Sequence, residues 1–153
     1  MTDIVSSAVR SRMMSGIQAR DTKPEILVRK ALHAQGYRCR LHRKDLPGNP
    51  DITLPRFRTV ILVHGCFWHM HKGCKLARIP STRTEFWSAK LHANAMRDET
   101  AHCRLLALGW RVLTIWECYL KSTAPEVLQA DLVRWISGSE ISGDFNVPPT
   151  ATA

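Results

Sequence analysis

A chain of 153 residues amounts to about one domain, long enough to bury roughly 68–70% of the surface its unfolded form would expose. Hydrophobic residues at 44% and charged residues at 23% exclude wholesale disorder, and no run approaches the ~18 apolar residues that cross a bilayer. Lys and Arg number 22 against 13 Asp and Glu, a net +9; residues 1–44 carry 10 basic and 3 acidic side chains of that total, so the charge sits at the front and points to a polyanion such as nucleic acid. The N-terminus has no signal-peptide stretch. An intracellular, non-membrane protein is therefore expected, in which five cysteines read as thiols or metal ligands rather than disulfides.

Residues 1–20 read as a basic arm carrying Arg10, Arg12 and Arg20, with Met13, Met14 and Ile17 between them. The body is expected over 21–138. Thr22-Lys23-Pro24-Glu25 fits a capping box that opens a helix ending at Gly36. Residues 37–42 alternate apolar and basic, as in a half-buried strand. A turn cluster at 45–50 precedes a short strand over 51–54 and a tight connection at 55–58. The β-branched run Thr59–Val63 predicts a buried central strand. Residues 64–83 form a long loop rich in His, Cys, Gly and Pro, and loops of that length are usually functional or disordered. A second capping box at Thr82–Glu85 opens a helix to about Leu108, stopped by Gly109. A strand over 110–116 and a helix capped at Thr123–Glu126 and stopped by Gly138 complete the body. The tail from 139 to 153 reads as flexible. The order α-β-β-β-α-β-α predicts an α/β fold with a mixed sheet flanked by helices.

The segment from His64 to Cys74 holds Cys66, Cys74, His64, His69 and His71. Zinc takes four soft or borderline ligands in a tetrahedron, and Cys66, His71 and Cys74 lie near enough in sequence for one loop to wrap an ion. Cys118, just past a strand, is an attractive fourth ligand. Cys39 and Cys103 fit regular elements and read as small core hydrophobes. His64 and His69 can pass a proton near neutral pH or be ordinary loop histidines. Asp51, at the head of a short strand, can hold a magnesium ion or simply serve the turn. Phe67, Trp68 and Trp87 can pack in a core or wedge between base steps and unstack a duplex. A mispaired site costs less to open. Met14 and Ile17 can do the same from the opposite groove or dock as an amphipathic helix.

The string His64-Gly65-Cys66-Phe67-Trp68-His69 with Pro80–Trp87 resembles the very short patch repair (Vsr) DNA mismatch endonucleases. Arg20-Asp21-Thr22 with Glu25, Leu46–Asp51, Gly109–Val112 and Trp116–Cys118 extend the resemblance in order from about Arg10 to Trp135. It implies a restriction-endonuclease-like core, with a central mixed sheet flanked by helices, and a structural zinc site. It implies an enzyme that nicks one strand 5′ to the thymine of a T·G mismatch left by 5-methylcytosine deamination, with Mg2+ in catalysis. Carried over by residue, Asp51 is the magnesium carboxylate, His69 the general base or proton relay, and His64 a neighbour of the scissile phosphate. Glu25 and Asp98 support that network. Cys66, His71, Cys74 and Cys118 are the Zn2+ ligands. Phe67, Trp68 and Trp87 form the wedge, and the arm with Arg10, Arg12, Met14, Ile17 and Arg20 clamps DNA. The implied setting is a cytoplasmic, nucleoid-associated monomer acting on mismatched duplex DNA, with partners among the mismatch-repair proteins. Val63 stands where a member of that family has threonine, and Lys72-Gly73 makes the loop before Cys74 one residue longer. The contrasting reading is a zinc-stabilised DNA-binding module without catalysis, which leaves Asp51 and His69 without roles.

Overall fold

In the computed structural model, which describes residues 22–147, Thr22 caps the first helix as its sequence predicts. Its Oγ1 accepts from the Glu25 N–H at 3.4 Å, and Pro24 sits in the first turn of α1 (Lys23–Ala34), where a missing N–H leaves no gap. Val28, Ala31 and Leu32 turn inward from α1, and so does Glu25.

The expected strand over 37–42 contracts to β1 (Arg40–Leu41), exposed at both residues. His42 takes a left-handed φ of 49° and ends the pairing, while Tyr37 and Cys39 pack against the core instead. β2 (Ile52–Leu54) is wholly buried. A single 3-10 turn (Pro55–Phe57) reverses the chain into β3 (Thr59–His64). After the long loop comes α2 (Thr84–Ala107). Its predicted capping box does not form. Arg83 stands at the N-cap with φ 54°, and the Thr84 hydroxyl donates back to the Pro80 carbonyl at 3.0 Å. Gly109, at φ +88°, closes α2 as expected.

β4 (Arg111–Trp116) runs straight into a five-residue helix, α3 (Glu117–Lys121), too short to leave an apolar period in the sequence. α4 (Pro125–Ser137) starts one residue later than its predicted cap: Ala124, not Thr123, is the N-cap, and no side chain caps it. The tail is the largest departure. Residues expected to be flexible form β5 (Ser142–Phe145), parallel to β4 with Val112 opposite Ser142. Two contacts hold it there. Arg111 donates to the carbonyls of Trp135, Ile136 and Glu140 at 2.7–2.8 Å, and Gly143 lies so close to Trp135 that a Cβ would meet its ring nitrogen at 2.4 Å.

The sheet order among the described residues is β1-β2-β3-β4-β5, with β1, β2 and β3 antiparallel and β3, β4 and β5 parallel. Alternation along the strands serves two layers. Ile52, Leu54, Ile61, Leu113 and Ile115 face α1, α3 and α4. Val60, Leu62 and Val112 face Leu105 of α2. Each buried Leu or Ile contributes roughly 1.5–3 kcal/mol, so both helical layers are held firmly to the sheet. The parallel strands β3 and β4 end together, His64 opposite Trp116. At the carboxyl ends of such strands side chains leave the sheet into open space, and α/β proteins bind ligands there.

Candidate active site and metal centre

The turn before β2 aims the first carboxylate. Gly48 has φ +74°, and a Cβ there would lie 2.7 Å from the Ala101 Cβ of α2. Only glycine lets the turn lie against α2. Beyond it, Asp51 Oδ2 accepts from the Val63 N–H at 2.8 Å, and the Asp51 carbonyl accepts from the His42 N–H at 3.1 Å. Burial pushes the Asp51 carboxyl up to about 7; the Val63 N–H opposes this, and the neighbouring Glu25 charge adds to it. Glu25, 2% exposed, accepts from Arg29 Nη2 at 3.0 Å and has His42 Nε2 at 3.6 Å. The ligand atoms of Glu25, His42 and Asp51 lie within 4.8 Å of one another. Two carboxylates this close, one buried and one half-buried, repel each other when both are ionised, and a cation between them would remove that repulsion.

The second cluster comes from β3, the loop and α2. His69 Nδ1 lies 2.5 Å from Asp98 Oδ2. With Nδ1–H facing a carboxylate, Nε2 keeps its lone pair and can take a proton. The His69 ring stacks on that of His64 at 3.8 Å and 5°. Burial, and then the neighbouring His69 charge, lower His64 to about 3, so it is neutral at any ordinary pH. Its Nδ1 is buried without a hydrogen-bond partner among the described residues. Asp51, Glu25, His64, His69 and Asp98 line one cleft of about 830 Å3, together with Phe67, Trp68 and Glu117.

The aromatic residues are neither sealed in the core nor free. Phe67, Trp68 and Trp87 are half-buried, edge-on to one another with ring centres 5.0–6.0 Å apart. Asn94 Nδ2 holds the loop by donating to the Trp68 carbonyl at 3.3 Å. Met14, Ile17, Arg10, Arg12 and Arg20, expected to contact DNA, lie outside the described residues.

Behind this cleft Cys66, His71, Cys74 and Cys118 bring their ligand atoms within 4.8 Å of one another. The backbone builds the nest: the His71 N–H donates to the Cys66 carbonyl at 3.0 Å, and the Cys74 N–H to the His71 carbonyl at 3.3 Å. Cys118, at the start of α3, donates its N–H to Cys66 Sγ at 3.4 Å and sets its own Sγ 3.5 Å from His71 Nδ1. Burial pushes the Cys66 thiol up to about 12. A thiolate there needs a bound cation, and three sulfurs with one imidazole could hold one. Cys39 packs on the core as expected. Cys103 does not: it is exposed on α2.

Several residues of the site carry no motif of their own. His42 and Arg29 join Glu25 in the carboxylate pocket, with Arg29 Nη2 3.0 Å from His42 Nε2. The spacing of Glu25 and Arg29, one turn of helix, was a readable signal. Trp116 stacks on His71 at 4.0 Å and meets His64 edge-on at 5.2 Å.

A carboxylate pocket that could hold a cation, beside an imidazole–carboxylate pair and a cluster of aromatics at the edge of an α/β sheet, is the equipment of a hydrolase. Comparison with known proteins narrows that class. The family model for DNA mismatch endonuclease Vsr matches residues 2–76. The chain is 42% identical over 149 residues to the DNA mismatch endonuclease Vsr of Escherichia coli, covering 95% of each. It is 49% identical over 120 residues to the type II nicking enzyme V.XorIIP of Xanthomonas oryzae pv. oryzae, 78% of this chain and 88% of that one. It is 44% identical over 124 residues to the type II nicking enzyme V.NmeAIP of Neisseria meningitidis, 81% and 88%. The chain belongs to the DNA mismatch endonuclease Vsr family, which makes it a DNA endonuclease.

Proposed function

We propose that the protein nicks one strand of duplex DNA on the 5′ side of the thymine in a T·G mismatch, with Mg2+ held at Asp51. The observation that carries this reading is the single cleft shared by Asp51, Glu25, the His69–Asp98 pair and the Phe67–Trp68 loop. The names of the relatives, a mismatch endonuclease and nicking enzymes, support the same reaction class.

The residues divide the work by chemistry. His69 Nε2 takes the proton of the attacking water, and Asp98 stabilises the imidazolium that forms. His64, kept neutral by burial, offers hydrogen bonding beside the scissile phosphate without adding a charge that would repel the ion. The Val63 N–H fixes the Asp51 carboxylate, a backbone contact that does not need the hydroxyl of a threonine. Glu25, steadied by Arg29, orients water in the same pocket. Magnesium bound there would polarise the phosphodiester and stabilise the leaving oxygen. Phe67, Trp68 and Trp87 wedge into the faulty step, where unstacking costs least.

In the same reading Zn2+ at Cys66, His71, Cys74 and Cys118 is structural, and the core is restriction-endonuclease-like. Residues 1–20 act as a DNA clamp on an endonuclease domain that starts at about residue 21. The protein works as a cytoplasmic, nucleoid-associated monomer alongside mismatch-repair proteins. A nicking assay tests the core of this reading. With Mg2+, a T·G heteroduplex should be nicked faster than the matched duplex, and Asp51→Ala should bind both and cut neither. Equal rates on the two duplexes would remove the mismatch claim. Binding without any cutting by the wild-type chain would favour a non-catalytic module.

A further inference from the structure

The cations of α2 recur at a fixed interval. Arg83 at the N-cap, then Lys90, Arg97 and Arg104, stand seven residues apart, two helical turns or about 10.5 Å per step. Seven residues fall about 20° short of two full turns, so the row winds slowly along one flank of the helix. All four are exposed. The acids of α2 are segregated from them. Asp98 turns inward to His69, while Glu99 lines the opposite flank with His102 and Cys103, and Glu85 falls on that flank by its helical position. No carboxylate among the described residues lies within ion-pair distance of these four cations, whereas Arg43, Lys121 and Arg134 each have one.

The row also has a groove beside it. Pro47, Gly48, Met96, Ala101, Arg97 and Arg104 line a depression of about 380 Å3. Gly48 also lines the cleft that holds Asp51 and His69, so the two adjoin. At the other end, Lys90 lies 5.8 Å from the Trp68 ring centre and 5.9 Å from that of Trp87. The flank thus runs past the aromatic cluster and the cleft and continues beyond them to Arg104.

We propose that this flank of α2, and Arg97 and Arg104 in particular, tracks the phosphate backbone of the DNA duplex beyond the cut site. The proposal rests on the duplex-DNA reading above and adds to it a surface and an extent. From Lys90 to Arg104 the helix covers about 21 Å, the length of about six base pairs at ~3.4 Å each. Arg104 lies about 9 Å along α2 from Asp98, so the footprint reaches roughly three base pairs past the reacting phosphate. Charge is the recognition element, since the groove offers two guanidinium groups and no acid. Contacts of this kind hold register on the duplex without reading its sequence.

The test measures binding of the full chain to fluorescent T·G and matched duplexes by anisotropy, without Mg2+, across a salt series. Arg97→Gln and Arg104→Gln are compared with Arg134→Gln, an exposed cation on α4 whose loss changes net charge equally. Circular dichroism and Tm confirm the fold of each variant. Each α2 variant should weaken binding about eightfold at ~0.1 M salt and flatten the salt slope by about 0.9, the signature of one lost phosphate contact. The loss should be the same on both duplexes, and Arg134→Gln should match wild type. An unchanged Kd and slope for Arg104→Gln, or an equal effect in Arg134→Gln, would overturn the proposal. So would a loss confined to the mismatched duplex. Because no cutting is needed, failure of the nicking reaction would show separately.

Discussion

Replacing Asp51 by Asn should stabilise the protein while abolishing its activity, and the gain should grow with pH. The folded carboxyl is raised from 3.8 to about 7, chiefly because burial disfavours its charged form. Below about pH 3.8 the group is protonated in both folded and unfolded chains and costs nothing. Between 3.8 and about 7 the unfolded chain releases the proton and the folded chain holds it, so stability falls as pH rises. Above that window the penalty is complete. At about 1.4 kcal/mol per pKa unit it reaches at most about 4 kcal/mol, of which about 3 kcal/mol accrues between pH 5 and 8. A shift of 1 kcal/mol moves Tm by roughly 2–4 °C in a chain of this size. Thermal melts of wild type and Asp51→Asn in buffers without magnesium should diverge by several degrees more at pH 8 than at pH 5. Adding Mg2+ at pH 8 should then raise the wild-type Tm and leave the variant unmoved, since only a ligand of the folded state stabilises it. A difference between the two proteins that is flat in pH would refute the reasoning, because it would mean that the Asp51 charge is not being desolvated.

Cys66→Ser should lose bound metal, read by elemental analysis, and lower Tm, because metal affinity contributes directly to folding. Gly48→Ala forces a Cβ to 2.7 Å from Ala101 at a left-handed φ; overpacking of this kind costs about 1–3 kcal/mol, measurable by urea denaturation, and nicking should fall with it because Asp51 follows the turn. His69→Ala should slow nicking at saturating DNA about 10²–10⁴-fold, the usual worth of a general base, with the DNA Kd little changed. Asp98→Asn should slow it less than His69→Ala, since the imidazole survives and only its orientation suffers. The same rate after either substitution as in wild type would release the pair from catalysis.

The parts of the fold that announce themselves in the sequence do so through local patterns. The run from Thr59 to Val63 predicts a central strand because its β-branched residues are buried on both faces, as β3 is. Gly36 and Gly109 mark helix ends because both take positive φ. What stayed hidden depends on contacts distant in sequence. β5 carries the residues Ser142 to Phe145, with two small polar positions and no apolar alternation. It is a strand because Arg111 and Trp135 hold the preceding turn. The Thr82–Glu85 box fails for a related reason: the loop brings Arg83, at φ 54°, to the N-cap in place of Thr82, and a local motif yields to the loop that delivers it. In the site, Asp51, His69 and the cysteines were legible as chemistry-bearing types in turns and loops. Arg29 was legible only through its spacing from Glu25, and His42 and Trp116 carried no predicted role, since a histidine after a strand and a tryptophan within one have ordinary roles everywhere else.

The arrangement of rings links the cysteine cluster to the imidazoles of the cleft. His69 stacks on His64, His64 meets Trp116 edge-on, and Trp116 stacks on His71. These four rings form a continuous packed row from the cleft to the cysteines. The backbone between them is tight: the His69 N–H donates to the Gly65 carbonyl at 3.2 Å, and Met70 takes a left-handed φ of 49°. His71 therefore cannot move far without turning His69. A bound ion at Cys66, His71, Cys74 and Cys118 would fix His71 against α3, and through Trp116 and His64 it would fix the angle of the His69 ring. A general base must stay within hydrogen-bond reach of its water, and a long loop with little regular structure supplies no such rigidity alone. An ion in the cysteine cluster would do for the loop what β3 and α2 do for Asp51 and Asp98: hold a side chain against a fixed frame.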